Sequence, residues 1–166
     1  MKLSSSTMDT PAGPFTTIVD GDGAVLASGW TTDNDTLLAL VHPGLRGEAQ
    51  PRTDLGDATK ALRAYLDGDL AAVDPVTVRQ HSGGEFLNRA WDVLRTVPAG
   101  EPVSYTEFAA RAGRPAATRA AAQACARNAA ALFVPCHRVL RSDGSLGGFR
   151  WGLDVKRWLL EFESDR

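Results

Sequence analysis

The chain has 166 residues, of which 43% are hydrophobic, and a formal net charge of −2. This is enough apolar material for one compact domain or two small ones, and it argues against wholesale disorder. No apolar run approaches the roughly 20 residues that a membrane-spanning helix needs, and the N-terminus lacks the apolar region of a secretory signal. Two cysteines, Cys125 and Cys136, fit neither a disulfide framework nor a zinc site. We therefore expect a cytoplasmic protein with reduced thiols.

Charge is distributed unevenly along the chain. Residues 1–80 contain six Lys and Arg against eleven Asp and Glu, a net charge of −5. Residues 81–166 contain twelve against nine, a net charge of +3, and eleven of these twelve cations are arginine. This asymmetry favours contact between a polyanion and the second half only, although ordinary fluctuation in charge would also explain it.

The first half has the pattern of a small α/β scaffold without a chemical motif. Residues 13–30 alternate apolar and polar residues around an Asp-Gly-Asp-Gly turn, which predicts a β-hairpin. Residues 34–57 are rich in Pro, Gly and Asp and predict loops. A helix follows, ending near Gly68, and then a short strand and a linker near Ser82. The apolar face of that helix is predicted to contain Ala58, Leu62, Tyr65 and Leu66.

The second half is predicted to be mostly helical. A first helix follows Gly84 and stops before Pro98, and a second opens with the capping-box pair Ser104 and Glu107. A third begins after Pro115, so that the second and third resemble a helix-turn-helix. A closing helix is predicted near the C-terminus. Its apolar stripe is expected to contain Val155, Trp158, Leu159 and Phe162.

The helix after Pro115 is dominated by alanine, and such a face suits close approach to a narrow groove of DNA. Arginines on it could reach phosphates or fill a vacated base position, although a plain scaffold helix would explain the same residues. Cys125 on this helix is expected to be chemically inert, as buried cysteines commonly are. The candidate DNA-binding residues are Arg119, Ala120, Gln123, Cys125 and Arg127.

The segment Cys136-His137-Arg138 is the strongest chemical signal in the chain. A cysteine nucleophile needs its thiolate, and a nearby histidine or cation lowers the pKa of the thiol. Adjacent residues usually point apart, so His137 is expected to act through a water molecule or a local turn. The Cys-His pair alone is also compatible with a hydrolase or a redox thiol. A third group should orient the histidine, and the sequence offers three carboxylates for this role. The three candidates are Asp143, Glu161 and Glu163.

The sequence PCHRVL resembles the PCHRV active-site signature of the O6-alkylguanine-DNA alkyltransferases, also called methylated-DNA–protein-cysteine methyltransferases. The resemblance runs from about Phe86 to Glu163 and includes TVPAGEPVSYTEFA, an arginine within ATRA, and GGFRWGLDVKRWLL. Asn128 also stands at the family's spacing, eight positions before Cys136. The segments ACARN and GFRWG are most similar to the C-terminal domain of the bacterial Ada proteins.

The resemblance implies an α+β fold of two domains. Residues 1–80 would form a ribonuclease H-like α/β domain, and residues 81–166 a mainly helical domain like a winged helix-turn-helix. The implied activity is the repair of duplex DNA by a monomer, with cooperative binding left open and no role for a membrane. O6-alkylguanine, and also O4-alkylthymine, would be flipped out of the duplex, and the alkyl group would pass irreversibly to Cys136 in a single turnover. This chemistry calls for no metal and no cofactor.

The resemblance also implies roles for individual residues. Cys136 would be the alkyl acceptor, and His137 with Glu163 would form a Cys–water–His–Glu relay. Asn128 would brace the active-site turn, while Tyr105 would donate a hydrogen bond to guanine N3. The remaining implied roles are an arginine finger for Arg119 and the lesion pocket for Tyr105, Val139, Phe149 and Arg150.

Two residues depart from the family's usual pattern. Phe149 stands where tyrosine is common, and Arg150 replaces a small or hydroxyl residue, so the pocket chemistry at these positions is open. The main alternative function is a non-catalytic helix-turn-helix module that binds DNA or senses lesions. A thiol hydrolase would require an oxyanion hole, which the sequence does not reveal.

Overall fold

The computed structural model describes residues 2–81 and 84–164, and the chain divides into two compact units of mixed α and β structure. The first unit contains Met1–Gln80 together with Ala129–Phe133. The second contains His81–Asn128 together with Val134–Arg166. The linker predicted near Ser82 lies outside the described residues. Among the helices of the described ranges, none combines the length and the apolar content that crossing a bilayer requires.

The first unit is built on a four-stranded sheet with the order β3-β2-β1-β4. Its strands are β1 (Lys2–Thr10), β2 (Gly13–Val19), β3 (Val25–Gly29) and β4 (Glu48–Pro51). β2 pairs antiparallel with both β1 and β3, which confirms the predicted hairpin, and β4 pairs parallel with β1. The hairpin turn is held by Asp20, whose Oδ1 accepts hydrogen bonds from the amides of Asp22 and Ala24 at 2.9 and 3.0 Å.

The segment predicted as loops contains three short elements that the sequence pattern hides. They are α1 (Asn34–Leu38), a 3₁₀ turn (Pro43–Leu45) and β4. β4 is a mostly exposed edge strand, so it needs no apolar alternation and shows none. The predicted helix after it is confirmed as α2 (Asp57–Leu66), which buries Ala58, Leu62 and Tyr65.

Residues 129–133 belong to the first unit although residue 128 belongs to the second. The Ser28 amide of β3 donates to the Ala129 carbonyl at 2.9 Å, and the Ala131 amide donates to the Ser28 carbonyl at 3.2 Å. Ser28 Oγ also donates to the Ala131 carbonyl at 2.7 Å. This segment is fully buried, so its backbone groups need partners, and the free edge of β3 supplies them. The chain therefore divides differently here from a single boundary after residue 80.

The second unit contains the remaining helices and a two-stranded parallel pairing. Trp91 Nε1 donates to the Ala124 carbonyl at 2.9 Å, and the buried Ala121 and Ala124 allow the two helices that carry these residues to approach closely. Ser104 Oγ accepts from the Glu107 amide at 3.0 Å, which confirms the predicted cap. The elements are α3 (Glu85–Leu94), β5 (Val103–Ser104), α4 (Tyr105–Arg111), α5 (Thr118–Ala126), a 3₁₀ turn (Cys136–Arg138), β6 (Val139–Leu140) and α6 (Leu153–Ser164).

The buried face of α6 differs from the predicted apolar stripe. Leu159 is fully buried as expected, but Trp158 and Phe162 are only partly buried and stack on each other with ring centroids 4.8 Å apart. Lys156 and Glu163 occupy the buried face instead. Burial of these two charged side chains is tolerated because each has close polar partners.

Candidate active site

The second unit contains a cavity of about 470 Å³ on which the thiol of Cys136 opens. This volume lies in the range of roughly 300–1,000 Å³ that is typical of small-molecule sites. Cys136 is only 7% exposed, and it lies in the lining of this cavity. The lining residues are Tyr105, Ala122, Cys125, Ala126, Asn128, Cys136, Gly148, Phe149, Arg150 and Trp151.

Asn128 fixes the turn that presents the cysteine. Its Nδ2 donates to the Val134 carbonyl at 2.8 Å, and the Cys136 amide donates to the same carbonyl at 2.8 Å. The Asn128 side chain also forms a hydrogen bond with the Cys136 sulfur that favours the thiolate. One buried side chain therefore holds both the backbone of the turn and the reactive atom.

A fully buried cluster of three charged or ionisable side chains lies behind the cysteine turn. His137 Nε2 lies 2.8 Å from Glu163 Oε2. Arg138 donates from Nε to Oε1 and from Nη2 to Oε2 of Glu163, at 2.9 and 3.0 Å, and from Nη1 to the Val97 carbonyl at 2.8 Å. The sequence offered three carboxylates that could orient His137, and the one that lies beside it is Glu163. Asp143 instead accepts hydrogen bonds from Ser145, and Glu161 is exposed.

Burial sets the protonation states in this cluster. It lowers the pKa of His137, despite the neighbouring carboxylate, so the imidazole is neutral at pH 7. Burial also opposes ionisation of Glu163, but its contacts with His137 and Arg138 hold the pKa of that carboxyl well below its ordinary value. An ionised Glu163 accepts the proton of His137 Nε2, which leaves Nδ1 as an acceptor. Nδ1 is buried and has no hydrogen-bond partner among the described residues.

The expectation that His137 and Arg138 lower the pKa of the Cys136 thiol is wrong. Burial raises that pKa above its ordinary value of 9.0, and the hydrogen bond from Asn128 only partly offsets the effect. The cationic side chains that act in the opposite direction are Lys156 and Arg150. Arg138 instead donates its hydrogen bonds to the Glu163 carboxylate and to the Val97 carbonyl.

Lys156 is a functional candidate that the sequence analysis missed. It is fully buried on α6, and its Nζ donates to the carbonyl oxygens of Val139 and Gly148, at 2.9 and 3.3 Å, and of Leu146. It therefore holds residues 146–148, which lead into the cavity lining at Gly148, and its charge favours the thiolate. The sequence did contain one signal that singles out this residue, because Lys156 is the only lysine among the twelve cations in residues 81–166.

Three of the four residues predicted for the lesion pocket line the cavity. Burial and the nearby thiols raise the pKa of Tyr105 to about 12. Phe149 is half-buried, while Arg150 is exposed and donates from Nη2 to the Ala126 carbonyl at 2.7 Å. Val139 does not reach the cavity surface. It is fully buried, and its carbonyl is engaged by Lys156.

The candidate DNA-binding residues on α5 separate into two groups. Arg119, Gln123 and Arg127 are exposed, and Ala120 is partly exposed. Cys125 lines the cavity instead, and burial raises the pKa of its thiol well above the ordinary value. Cys125 therefore lines the same cavity as Cys136, and its thiol is protonated at neutral pH.

Comparison with known proteins agrees with this geometry. A family model described as "6-O-methylguanine DNA methyltransferase, DNA binding domain" matches residues 85–165. The methylated-DNA–protein-cysteine methyltransferase of Salmonella typhimurium is 34% identical over 167 residues, which cover 98% of this chain and 96% of that protein. The Ada protein of Escherichia coli K12 is 47% identical over 91 residues, which are 55% of this chain and 25% of Ada.

A solved structure extends the similarity to the whole fold. The crystal structure of Mycobacterium tuberculosis OGT in complex with DNA superposes with a TM-score of 0.78 at 29% identity, covering 99% of this chain and 94% of that one. The signature segment and the buried His–Glu pair behind it are therefore accompanied by similarity along nearly the full length. This chain belongs to the family of methylated-DNA–protein-cysteine methyltransferases.

Proposed function

We propose that this chain repairs DNA by transferring the alkyl group of O6-alkylguanine to Sγ of Cys136, once per molecule. The observation that carries the proposal is a thiol opening on a cavity of about 470 Å³, with a hydrogen-bonding amide at the sulfur and a tyrosine hydroxyl on the same lining. The cavity has room for an extruded base, and O4-alkylthymine is a second substrate of the same chemical type.

The thiol must lose its proton before it can attack. Because the pKa of Cys136 is raised in the free protein, deprotonation requires an acceptor. His137 Nδ1 is the acceptor that fits, since it is unprotonated, buried and without a partner among the described residues. One water molecule between Sγ and Nδ1 would pass the proton to the imidazole, and Glu163 would stabilise the resulting imidazolium. Asn128, Lys156 and Arg150 stabilise the thiolate that forms.

The alkyl group then passes from the guanine oxygen to the thiolate in a single displacement. The thiolate sulfur forms a bond to the alkyl carbon as the carbon–oxygen bond breaks, and the electron pair of that bond leaves on the guanine ring. Tyr105 remains protonated because its pKa is about 12. It can therefore donate a hydrogen bond to guanine N3, which stabilises the departing anion. The product on Cys136 is a thioether, so the protein stops after one lesion.

The exposed side of α5 fits the handling of duplex DNA. The lesion lies inside a stacked duplex, so the base must be flipped out at a cost of a few kcal/mol. Arg119 is exposed on the first turn of α5 and would replace the extruded base, while Gln123, Arg127 and Ala120 would contact the groove. The second unit would then be a winged helix-turn-helix domain and the first a ribonuclease H-like scaffold, in a cytoplasmic monomer.

A duplex oligonucleotide with one O6-methylguanine tests the proposal against its alternatives. Wild-type protein should remove methyl groups from the DNA in proportion to the amount of protein added, with no further turnover. Cys136→Ala should bind the same duplex and transfer nothing. Tight binding by the wild type without transfer would support the lesion-sensing module, and repeated turnover would support a hydrolase.

A further inference from the structure

A second, smaller cavity of about 110 Å³ lies where α3 meets the turn that follows α4. It shares no residue with the active-site cavity. Two arginines from different parts of the chain converge on it, one from α3 and one from the turn. The lining residues are Glu85, Phe86, Arg89, Ala112, Gly113 and Arg114.

Each guanidinium group lies close to another residue that lines the same cavity. The guanidinium carbon of Arg114 lies 5.2 Å from the ring centroid of Phe86, which is a cation–π contact. Arg89 Nη1 lies so close to Gly113 that a Cβ atom at that position would come within 3.1 Å of it. Gly113 also has a φ of +91°, which favours glycine. The bare backbone at Gly113 therefore leaves room for the guanidinium of Arg89 beside the cavity.

Within the described residues, Arg89 and Arg114 form no ion pair, whereas nearby Arg111 pairs with Glu107 at 2.9 Å. Glu85 also lines the cavity, but its carboxylate forms no ion pair with either guanidinium. The cavity thus carries two cations against one anion. Planar guanidinium groups bind the oxygen atoms of a phosphate through paired N–H donors.

We infer that Arg89 and Arg114 together bind one backbone phosphate of the duplex whose damaged base enters the active-site cavity. This inference rests on the proposed function. Duplex DNA is favoured over a small anion because Arg114 lies in the turn that leads into α5, five residues before Arg119. A phosphate contact of this kind sets the register of the protein on the duplex and reads no base sequence.

The salt dependence of duplex binding tests the inference. We would measure the affinity of wild type, R89Q/R114Q and R111Q for a duplex with one O6-methylguanine at several salt concentrations. Loss of one phosphate contact lowers the slope of log K against log[salt] by about 0.9 in magnitude. The double variant should show this decrease and weaker binding at low salt. R111Q removes an arginine that is already paired, so it should keep the wild-type slope.

Two further variants sharpen the result. Glu85→Gln removes the carboxylate that opposes the phosphate, so it should tighten binding at low salt. If the double variant does not fold, Arg89→Gln alone carries the test, because it leaves the aromatic contact of Arg114 in place. A wild-type slope in the arginine variants would overturn the inference even where wild type transfers the methyl group to Cys136. Failure of wild type to transfer would instead overturn the proposed function.

Discussion

His137 and Glu163 form a buried pair in which Nε2 and Oε2 lie 2.8 Å apart, and this pair orients the imidazole behind the active thiol. Arg138 supplies two further hydrogen bonds to the same carboxylate. Because the charge of Glu163 is matched by a permanent guanidinium, the imidazole can remain neutral and keep Nδ1 as a proton acceptor. The cluster is therefore both a structural element and the base of the proposed reaction.

Substitution of Glu163 by Gln should destabilise the fold by about 3 to 5 kcal/mol, because it leaves Arg138 buried without its carboxylate. The pKa of Glu163 is depressed in the folded state, so its contribution is complete above the unfolded pKa and is lost as the pH falls below about 4.5. Urea unfolding at a series of pH values measures both effects. Equal acid sensitivity in wild type and Glu163→Gln would contradict this account.

His137 contributes to acid sensitivity over a different range. Its folded pKa is lowered by burial, so the unfolded state binds the proton more readily and stability falls as the pH drops below about 6.5. Replacement of His137 by Gln should remove this part of the pH dependence and leave the part below about 4.5. Unfolding curves at pH 7.5 and pH 5.5 provide the comparison, and an unchanged difference between them would count against a neutral buried imidazole.

The reactivity of Cys136 toward a small electrophile such as iodoacetamide should increase as the pH rises from 7 to 9. The reason is that burial raises the pKa of the thiol above 9.0, so only a small fraction is thiolate at neutral pH. Asn128→Ala should shift the profile to still higher pH, because it removes a hydrogen bond that favours the thiolate. A plateau below pH 7 in the wild type would show that the thiol is ionised in the free protein.

Lys156→Met should slow alkyl transfer and destabilise residues 146–148, which lead into the cavity lining. The substitution leaves three carbonyl oxygens without their donor, at a cost of about 1 to 3 kcal/mol for each that stays buried and unpaired. It also removes a charge that favours the thiolate, so the iodoacetamide profile should move to higher pH. Lys156→Arg retains the charge and provides the matched control. If Lys156→Met keeps the wild-type transfer rate and pH profile, Lys156 neither positions residues 146–148 for the reaction nor favours the thiolate.

Arg119→Ala should slow repair of duplex DNA more than it slows reaction with free O6-methylguanine. If Arg119 offsets about 1 to 2 kcal/mol of the cost of base flipping, repair of the duplex should slow by about 5- to 30-fold. The free base needs no flipping and provides the comparison within each protein. Equal losses on both substrates would remove the proposed finger role.

The sequence predicted the hairpin and the helices from α2 onward because their periodicity and turn residues are local. Hydrogen bonds between residues two or three positions apart form the cap at Ser104 and Glu107 and the turn at Asp20. Their sequence patterns are therefore sufficient to predict them. The edge strand β4 was missed because an exposed strand with one neighbour carries no apolar alternation. The assignment of residues 129–133 to the first unit was missed because Ser28, their partner, is about a hundred positions away.

At the site, the resemblance supplied the candidate residues, but adjacency in sequence gave the wrong electrostatics for the thiol. Arg138 is two positions from Cys136 and directs its charge into Glu163, whereas Lys156 is twenty positions away and acts on the sulfur. The direction of the Arg138 side chain depends on Glu163, which the fold brings next to it from 25 positions away in sequence. The raised pKa of Cys136 could not be predicted for the same reason, since it follows from burial.

The proposed chemistry is tested most directly by peptide mass spectrometry after reaction with an excess of duplex DNA containing O6-methylguanine. The account predicts one methyl group per chain, located on Cys136, with Cys125 unmodified and with no further loss of methyl groups from the DNA. Methylation of Cys125, more than one methyl group per chain, or continued turnover with an unmodified Cys136 would contradict it.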